Sequence, residues 1–224
     1  MCRGSGPSGN LVQASDGNFY GITISGGVNN TGTAFRITPS GSLTTLYSFA
    51  SGSSAYPVGG LIQGSDGNLY GTTTGFFNGT VFRITLSGKL TVLHNFTSPN
   101  GGNTPEAGLV QDTSGKLYGT TAYGGTWTAC GISGCGSLFV LDAGLRAFVE
   151  VLPSSGLAGR HVRILGTNLT GTTSLTFNGT PATFAVVSPS LITTTVPAGA
   201  TTGTVQVVTP GGTLSSNVPF RVIP

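Results

Sequence analysis

The sequence predicts an all-β protein, and three observations lead to that prediction. A motif of about a dozen residues occurs three times, and its tyrosines Tyr20, Tyr70 and Tyr118 lie 50 and 48 positions apart, a period that is typical of propellers and other repeat arrays. Short segments of alternating apolar and polar residues are separated by glycine-rich turns, which indicates strands joined by hairpins. No long segment has helical periodicity, so we expect almost no helix.

The second copy of the motif shows its predicted strands most clearly. They cover residues 61–63, 68–73, 80–85 and 90–96. Glycine-containing turns at residues 65–67 and 86–89 separate the first two and the last two strands, as in β-hairpins. Four antiparallel strands joined by tight turns form one blade of a β-propeller.

The repeat divides the chain into domains. Three blade-like units of about four antiparallel strands are predicted at residues 11–60, 61–108 and 109–148, and residues 1–10 are expected to be an N-terminal remnant that is either frayed or part of a sheet edge. Propellers usually close with about four to eight blades, so three units form a partial β-propeller. Three such units are compatible with a ring that further units complete, with association between chains, or with blades that form an open arc. Residues 149–224 contain about seven short strands and predict an immunoglobulin-like β-sandwich.

Two motifs in the second unit resemble the GloVer repeat of bacterial choice-of-anchor tandem-repeat proteins. They read Leu-Ile-Gln-Gly-Ser-Asp-Gly-Asn-Leu-Tyr-Gly-Thr-Thr from residue 61 and Gly-Thr-Val-Phe-Arg-Ile-Thr from residue 79. The resemblance extends over roughly residues 11–141. It implies a propeller-like array on an exported, surface-attached bacterial protein, and it implies no defined activity.

The C-terminal segment resembles the IPT/TIG domain, an immunoglobulin-like sandwich. The residues that carry the resemblance are Pro153, Gly156, Gly159, Gly166-Thr167-Asn168-Leu169, Phe177-Asn178-Gly179, Val196-Pro197, Gly203 and Gly211-Gly212. Such domains act as extracellular spacers or interaction modules. Some intracellular relatives bind DNA through basic loops, and this sequence lacks such loops.

Composition argues against nucleic-acid partners and a membrane span. Charged residues make up 7% of the chain, against about 25% in ordinary soluble domains. The nine Lys and Arg residues are nowhere adjacent, so no nucleic-acid partner is expected. No run of about 18 apolar residues predicts a membrane span. The repeat resemblance implies an extracellular or cell-surface protein, and the N-terminus lacks the apolar core of a signal peptide. For an exported protein we therefore expect this sequence to be N-terminally incomplete.

The cysteines predict a disulfide. Cys130 and Cys135 flank Gly-Ile-Ser-Gly in the lengthened loop of the third unit. Two cysteines that close a short loop suggest a disulfide formed in an oxidising compartment, with free thiols as the alternative. A metal site is disfavoured because structural zinc usually takes four Cys or His ligands. No metal and no cofactor is predicted, and the pairing of Cys2 stays open.

Several recurring polar and aromatic residues have two interpretations each. Trp127, in a glycine-rich loop, is the tentative ligand contact, because an exposed aromatic ring suits a glycan. The Asp-Gly-Asn motifs at residues 16–18 and 66–68 are turns or calcium ligands, and one carboxylate per motif favours turns. Arg36 and Arg83 pair locally or line an anion groove. The repeated tyrosines belong to the core or stack on sugars.

The sequence offers no catalytic residues. His94 aligns with Tyr47 of the first unit, and His161 lies on the polar face of a predicted strand. Glycosidase chemistry needs two facing carboxylates, whereas the repeat places Asp16 and Asp66 on separate units. We therefore expect a non-enzymatic surface protein that acts as a structural or interaction module toward an unknown protein or glycan. The alternatives are a carbohydrate-binding protein that uses inter-blade loops and a fragment of a propeller enzyme.

Overall fold

The computed structural model describes residues 4–76, 78–97, 102–125 and 134–224. Within these ranges every regular element is a β-strand, which confirms the predicted all-β class. The chain divides into two compact bodies. The repeat body is built from residues up to Gln111 and from Lys116 to Ala143, and the sandwich body from residues 112–115 and 144–224.

The first repeat forms a four-stranded antiparallel sheet. Its strands, in spatial order, are β1 (Gly4–Gln13), β2 (Phe19–Gly26), β3 (Thr33–Ile37) and β4 (Leu43–Ser48). Residues 4–10 are not frayed, because Pro7 pairs with Thr23 and Ser8 with Ile22, and β1 is an edge strand of the sheet, as the second alternative expected. Backbone pairing with β2 makes this Gly- and Ser-rich segment a strand against its weak intrinsic preference.

The second repeat follows the same backbone path. Its sheet has the order β5 (Pro57–Gln63), β6 (Leu69–Thr73), β7 (Gly79–Ile84) and β8 (Leu90–Phe96). The ladder β1–β2 is irregular between Ser8 and Val12, and β5–β6 is irregular between Val58 and Ile62. Bulges at equivalent positions also interrupt β3–β4 and β7–β8. Shared irregularities of this kind indicate that the two repeats are structural copies.

The described part of the third repeat has counterparts of the first three strands of the other repeats. Its described strands are β9 (Val110–Gln111), β10 (Leu117–Thr121) and β11 (Ser137–Leu141). The hydroxyls of Thr121 and Ser137 lie 3.0 Å apart across β10 and β11, as those of Thr73 and Thr80 lie 2.8 Å apart in the second repeat. None of the described sheets closes on itself, and the propeller-like arrangement stays a prediction.

The sandwich body contains two four-stranded antiparallel sheets and one short parallel pair. Its strands are β12 (Glu150–Leu152), β13 (Ser155–Gly156), β14 (His161–Leu165), β15 (Ser174–Phe177), β16 (Thr180–Pro181), β17 (Phe184–Ser188), β18 (Leu191–Thr195), β19 (Val205–Thr209), β20 (Gly212–Ser215) and β21 (Arg221–Val222). The sheet orders are β12-β14-β18-β17 and β16-β15-β19-β20, and β13 pairs with β21. This architecture confirms the predicted immunoglobulin-like domain.

Alternation along the strands builds the sandwich core. In β14, Val162 and Ile164 are buried, while His161 and Arg163 are exposed on the other face. Residues of both sheets meet in one apolar cluster: Val149, Val151, Val162, Ile164, Leu169, Leu175, Phe177, Ile192, Val196, Val205, Val207 and Phe220. Burial of each large side chain in such a cluster is worth roughly 1.5–3 kcal/mol.

A second apolar cluster joins the first two repeats. It contains Ala14, Tyr20, Ile22, Ala34 and Phe49 from the first repeat and Leu61, Leu69, Phe82 and Ile84 from the second. Neither sheet buries its apolar face alone. The face of one repeat is covered by the next, so neighbouring repeats stabilise each other.

Candidate interaction surfaces

A buried tyrosine and an aspartate brace the first turn of each of the first two repeats. The Tyr20 hydroxyl donates to Asp16 Oδ2 at 2.7 Å, and the Tyr70 hydroxyl donates to Asp66 Oδ2 at 2.9 Å. The Asn18 backbone N–H donates to Asp16 Oδ1 at 3.1 Å, and the Asn18 side chain donates to Oδ2 at 2.8 Å. Each carboxylate therefore closes its own turn, which is the predicted turn role of the Asp-Gly-Asn motif.

Burial and hydrogen bonding fix the protonation state of this brace. Burial of Tyr20 and its bond to Asp16 raise the pKa of its hydroxyl to about 12, and the nearby Arg36 only partly offsets this. The same causes raise the pKa of Tyr70. Burial would raise the pKa of Asp16, but the hydrogen bonds from Asn18 and Tyr20 outweigh it, so the net pKa is lowered. At neutral pH the brace is a neutral phenol bound to a carboxylate.

The recurring arginines lie beside these tyrosines. Arg36 pairs with Tyr20 across β2 and β3, and Arg83 pairs with Tyr70 across β6 and β7. The Arg36 Nε is buried without a hydrogen-bond partner in the part of the chain that the structure describes. In the third repeat Val140 takes the position opposite Tyr118. The arginines thus accompany the Tyr–Asp brace, in line with the interpretation of local pairing.

The glutamine at the end of β5 and the one at the end of β9 each bind the turn of the preceding repeat. Gln63 Oε1 accepts the backbone N–H of Ser15 at 2.9 Å, and Gln63 Nε2 donates to the Ser15 hydroxyl at 3.1 Å. Gln111 binds Ser65 in the same way, at 2.9 and 3.0 Å. We call this two-bond contact the Gln–Ser clasp. It occurs between the first and second repeats and again between the second and third.

Phenylalanines stack across the same two interfaces. Phe49 after β4 packs edge-on against Phe82 with ring centroids 5.2 Å apart, and Phe96 packs edge-on against Phe139 at 5.0 Å. The glycine of the Tyr-Gly motif makes room for these rings. A Cβ atom on Gly71 would lie 2.7 Å from Phe82 Cζ, too close for an alanine without a shift of the buried ring.

The first strands of neighbouring repeats also approach closely. A Cβ atom on Gly9 would overlap the backbone of Gly60, and one on Gly59 would lie 2.5 Å from the carbonyl carbon of Ala107. Sequence reasoning missed this contact, as it missed the clasp. The Pro-x-x-Gly/Asn-Leu pattern that precedes each glutamine, at residues 7–11, 57–61 and 105–109, was the available signal.

The structure gives different outcomes for the predicted site residues. Trp127 and Cys130 lie outside the described residues, so the ligand-contact prediction stays a prediction. Cys135 is disulfide-bonded, and its pairing with Cys130 also stays a prediction. The Tyr20 and Tyr70 rings are buried and present no face to a sugar. His94 packs on Phe96 with centroids 4.7 Å apart, as Tyr47 packs on Phe49.

Two of the grooves on the described surface lie beside residues discussed above or beside basic side chains. One, of about 260 Å³, lies on the first repeat between β1 and the side chains of Phe35 and Ile37. The other, of about 610 Å³, lies on the sandwich beside Arg160, His161 and Arg163. Within the described ranges, no three His, Cys, Asp or Glu side chains gather as metal ligands. No described helix could cross a membrane.

These features define a protein class: an all-β chain of clasped repeats with an immunoglobulin-like sandwich. Comparison with family models gives the particular family. Residues 2–133 match the Gloeobacter/Verrucomicrobia repeat, and residues 148–222 match the IPT/TIG domain. The chain belongs to the Gloeobacter/Verrucomicrobia repeat family and carries an IPT/TIG domain. Both resemblances found in the sequence are thereby confirmed.

Solved structures show weaker similarity. An SGBP-B from a complex xyloglucan utilization locus in Bacteroides uniformis is 17% identical with a TM-score of 0.30, over 62% of this chain and 35% of that one. A putative gluconolactonase is 16% identical with a TM-score of 0.37, over 84% and 58%. A catalytically inactive virginiamycin B lyase from Staphylococcus aureus is 14% identical with a TM-score of 0.40, over 100% and 78%. This chain thus spans about a third of the length of the first of these proteins and somewhat over half of the length of the second. A search of curated proteins found no match.

Proposed function

We propose that this chain is a non-enzymatic interaction module of an exported or cell-surface protein. The repeats form a scaffold that presents its loops, and the IPT/TIG domain acts as a spacer or docking module. One observation supports this most directly: the recurring polar side chains are bonded to one another. The brace ties Asp66 to Tyr70, and the clasp ties Gln63 to Ser15, so the repeated motif serves assembly.

The same contacts argue against the enzyme alternative. A catalytic carboxylate needs a free lone pair and a facing partner. Asp16 and Asp66 each accept bonds from their own turn and their own tyrosine. The tyrosines keep their protons far above neutral pH, so they supply neither a nucleophile nor a base.

The combination of families supports the proposed location. A repeat of this kind followed by an IPT/TIG domain fits a surface interaction module. The disulfide at Cys135 suits an oxidising compartment, since disulfides are rare in the cytosol. The charge-poor composition, with 7% charged residues, favours a neutral partner over nucleic acid.

Turnover assays test the non-enzymatic part of the proposal. The full chain is incubated with panels of glycoside, ester and lactone substrates, and the Asp16→Asn/Asp66→Asn variant is the control. We expect no turnover above background for either protein. Turnover that disappears in the variant would overturn the proposal and restore the enzyme alternative.

A glycan is the second candidate partner. Trp127 follows Tyr123 by four positions in a glycine-rich segment of the sequence, the Tyr123 side chain is exposed, and exposed aromatic rings bind sugars by stacking. A glycan array with the full chain should give a signal that Trp127→Ala abolishes and that Val28→Ala, a change at an exposed residue of another repeat, leaves intact. Absence of any signal, or an equal signal in Trp127→Ala, would eliminate this candidate.

A further inference from the structure

The first repeat carries every group with which the second and third repeats bind their predecessors. Gln13 corresponds to Gln63 and Gln111, Phe35 corresponds to Phe82 and Phe139, and Leu11 corresponds to Leu61 and Leu109. We call the surface formed by Leu11, Gln13, Phe35 and Ile37 the acceptor face. Its counterparts in the later repeats are interfaces inside the repeat body.

Burial shows that this face lacks the cover its counterparts have. Leu61 is 6% and Leu109 is 3% exposed, whereas Leu11 is 52% exposed. Phe82 and Ile84 of the second repeat are fully buried, while Phe35 and Ile37 are only partly buried, as are Phe139 and Leu141 of the third repeat. The groove of about 260 Å³ lies over these side chains. The leucine position, which both later repeats bury, is thus open on the first repeat.

The polar part of the acceptor face is already arranged for a clasp. Gln13 Nε2 donates to the Gly17 carbonyl at 3.2 Å, and Gln63 Nε2 makes the same bond to Gly67 at 2.8 Å. This local bond holds the glutamine in the orientation in which Gln63 also reaches Ser15. A partner therefore meets a preset amide, which lowers the entropic cost of binding.

The two occupied interfaces specify what would cover the face. Each predecessor supplies a serine in its first turn, a phenylalanine at the end of its last strand, and a glycine-rich first strand. The third repeat of another copy of this chain is a poor source. Its position equivalent to Ser15 is Thr113, whose hydroxyl lies 2.8 Å from that of Thr167, and Phe148 is buried.

We propose that the acceptor face of the first repeat is a docking surface for a further unit of the same repeat. That unit contributes a serine to Gln13 and a phenylalanine to Phe35, and it lies on Leu11. The inference goes beyond the proposed function because it names a binding surface and the chemistry of its partner. It rests on continuity with two interfaces of the same kind.

The test extends the full chain by one unit. A copy of residues 4–53 is placed before Gly4, so that the added glutamine precedes Gln13 by the 50-residue spacing of Gln13 and Gln63. The control extension carries Ser15→Ala and Phe49→Ala in the added copy only. Hydrogen exchange of β1 and β3 amides is measured in both chains and in the natural chain.

We expect the extension, but not its control, to slow exchange in β1 and β3 and in the added unit. Gln13→Ala should then shift the unfolding equilibrium of the extended chain by about tenfold, as one well-made hydrogen-bonded pair does. Equal exchange in the extended and natural chains would overturn the proposal, because a fitting unit folds onto its docking face. So would a dimer of the natural chain that Leu11→Asp dissociates, since a second copy would then occupy the face.

Discussion

Tyr20 and Tyr70 are buried, and each donates its hydroxyl hydrogen to an aspartate of its own turn. This bond explains why tyrosine and aspartate recur together in the first two repeats. A phenol retains its proton when it is buried beside a carboxylate, because ionisation would place two negative charges in contact. The same groups would be candidates for catalysis only if they faced a shared cavity, and each faces its own turn.

The raised tyrosine pKa predicts instability in alkali. Tyr20 has a folded pKa of about 12, above its ordinary value of 10.0. The neutral form therefore stabilises the fold fully below about pH 10, and this contribution is lost as the pH rises toward about 12. As the pH is raised, the absorbance of tyrosinate should increase in the same cooperative transition in which the protein unfolds. The double variant Tyr20→Phe/Tyr70→Phe should lack this cooperative increase in absorbance. Independent ionisation of all six tyrosines in a folded chain would contradict the brace.

The lowered pKa of Asp16 predicts a loss of stability in acid. Its folded pKa lies below the ordinary value of 3.8, so its contribution is present above that pH and disappears as the pH falls through the folded pKa. Asp16→Asn should reduce the unfolding free energy by about 1 kcal/mol near neutral pH, and by less near about pH 3. Urea unfolding measures this, with the exposed Glu106→Gln as control. Equal losses for both variants at both pH values would refute it.

At the residue scale the sequence predicted turns better than contacts. The turns at the Asp-Gly-Asn motifs could be predicted because the aspartate side chain binds a backbone N–H only two residues away. Gln63 binds Ser15 across 48 positions, and no local pattern reveals that distance. The glycine of the Tyr-Gly motif has an ordinary strand conformation, so only the ring packed on it explains its recurrence.

At the element scale the repeats are held by identical contacts at successive interfaces. β7 meets the end of β4 through Phe82 and Phe49, and β11 meets the end of β8 through Phe139 and Phe96. One element therefore has a different environment in the first repeat. β3 presents Phe35 to a groove, whereas β7 presents Phe82 to the preceding repeat.

This difference gives a matched pair of substitutions. Phe82→Ala should lower the unfolding free energy by about 3–5 kcal/mol, because it empties a fully buried ring site. Phe35→Ala should cost clearly less, because Phe35 is only partly buried. Urea unfolding monitored by circular dichroism gives both values. Equal costs would mean that the two rings share the same surroundings, contrary to the structure.

Strand existence was easier to predict than strand limits. The predicted strand at residues 90–96 is β8 itself, because a turn bounds one end and alternation marks its length. β1 and β5 begin several residues before the predicted position, because their early residues are glycine, serine and proline. Those residues are held by pairing to β2 and β6 and by close backbone approach, which composition does not show.

At the scale of the whole chain, two compact bodies correspond to two families. The repeat period, the alternation and the absence of helical periodicity sufficed for the all-β class, and the resemblance of the motifs to known families gave the order of the two families. The proposed ligand contact at Trp127 rests on sequence alone. The acceptor face differs from its counterparts in the very different exposure of equivalent leucines, which no local sequence pattern shows.

The disulfide gives a prediction about the mature protein. If Cys130 pairs with Cys135, the intact mass should rise by a pair of hydrogen atoms on reduction, and peptide mapping should recover these two cysteines in one cross-linked fragment. Cys130→Ser should leave Cys135 open to alkylation in the folded protein. A cross-link between Cys135 and Cys2 would contradict the predicted pairing.

The most direct test of the account compares one glutamine in three settings. Gln13→Ala, Gln63→Ala and Gln111→Ala are made separately in the full chain, and the unfolding free energy of the repeat body is measured by urea titration. The clasp predicts that Gln63→Ala and Gln111→Ala each lower the unfolding free energy by about 1–3 kcal/mol, because each leaves a serine N–H unpaired. For Gln13→Ala it predicts a loss below about 1 kcal/mol. Three equal losses would show that these glutamines act only within their own repeats, and would contradict the clasped array.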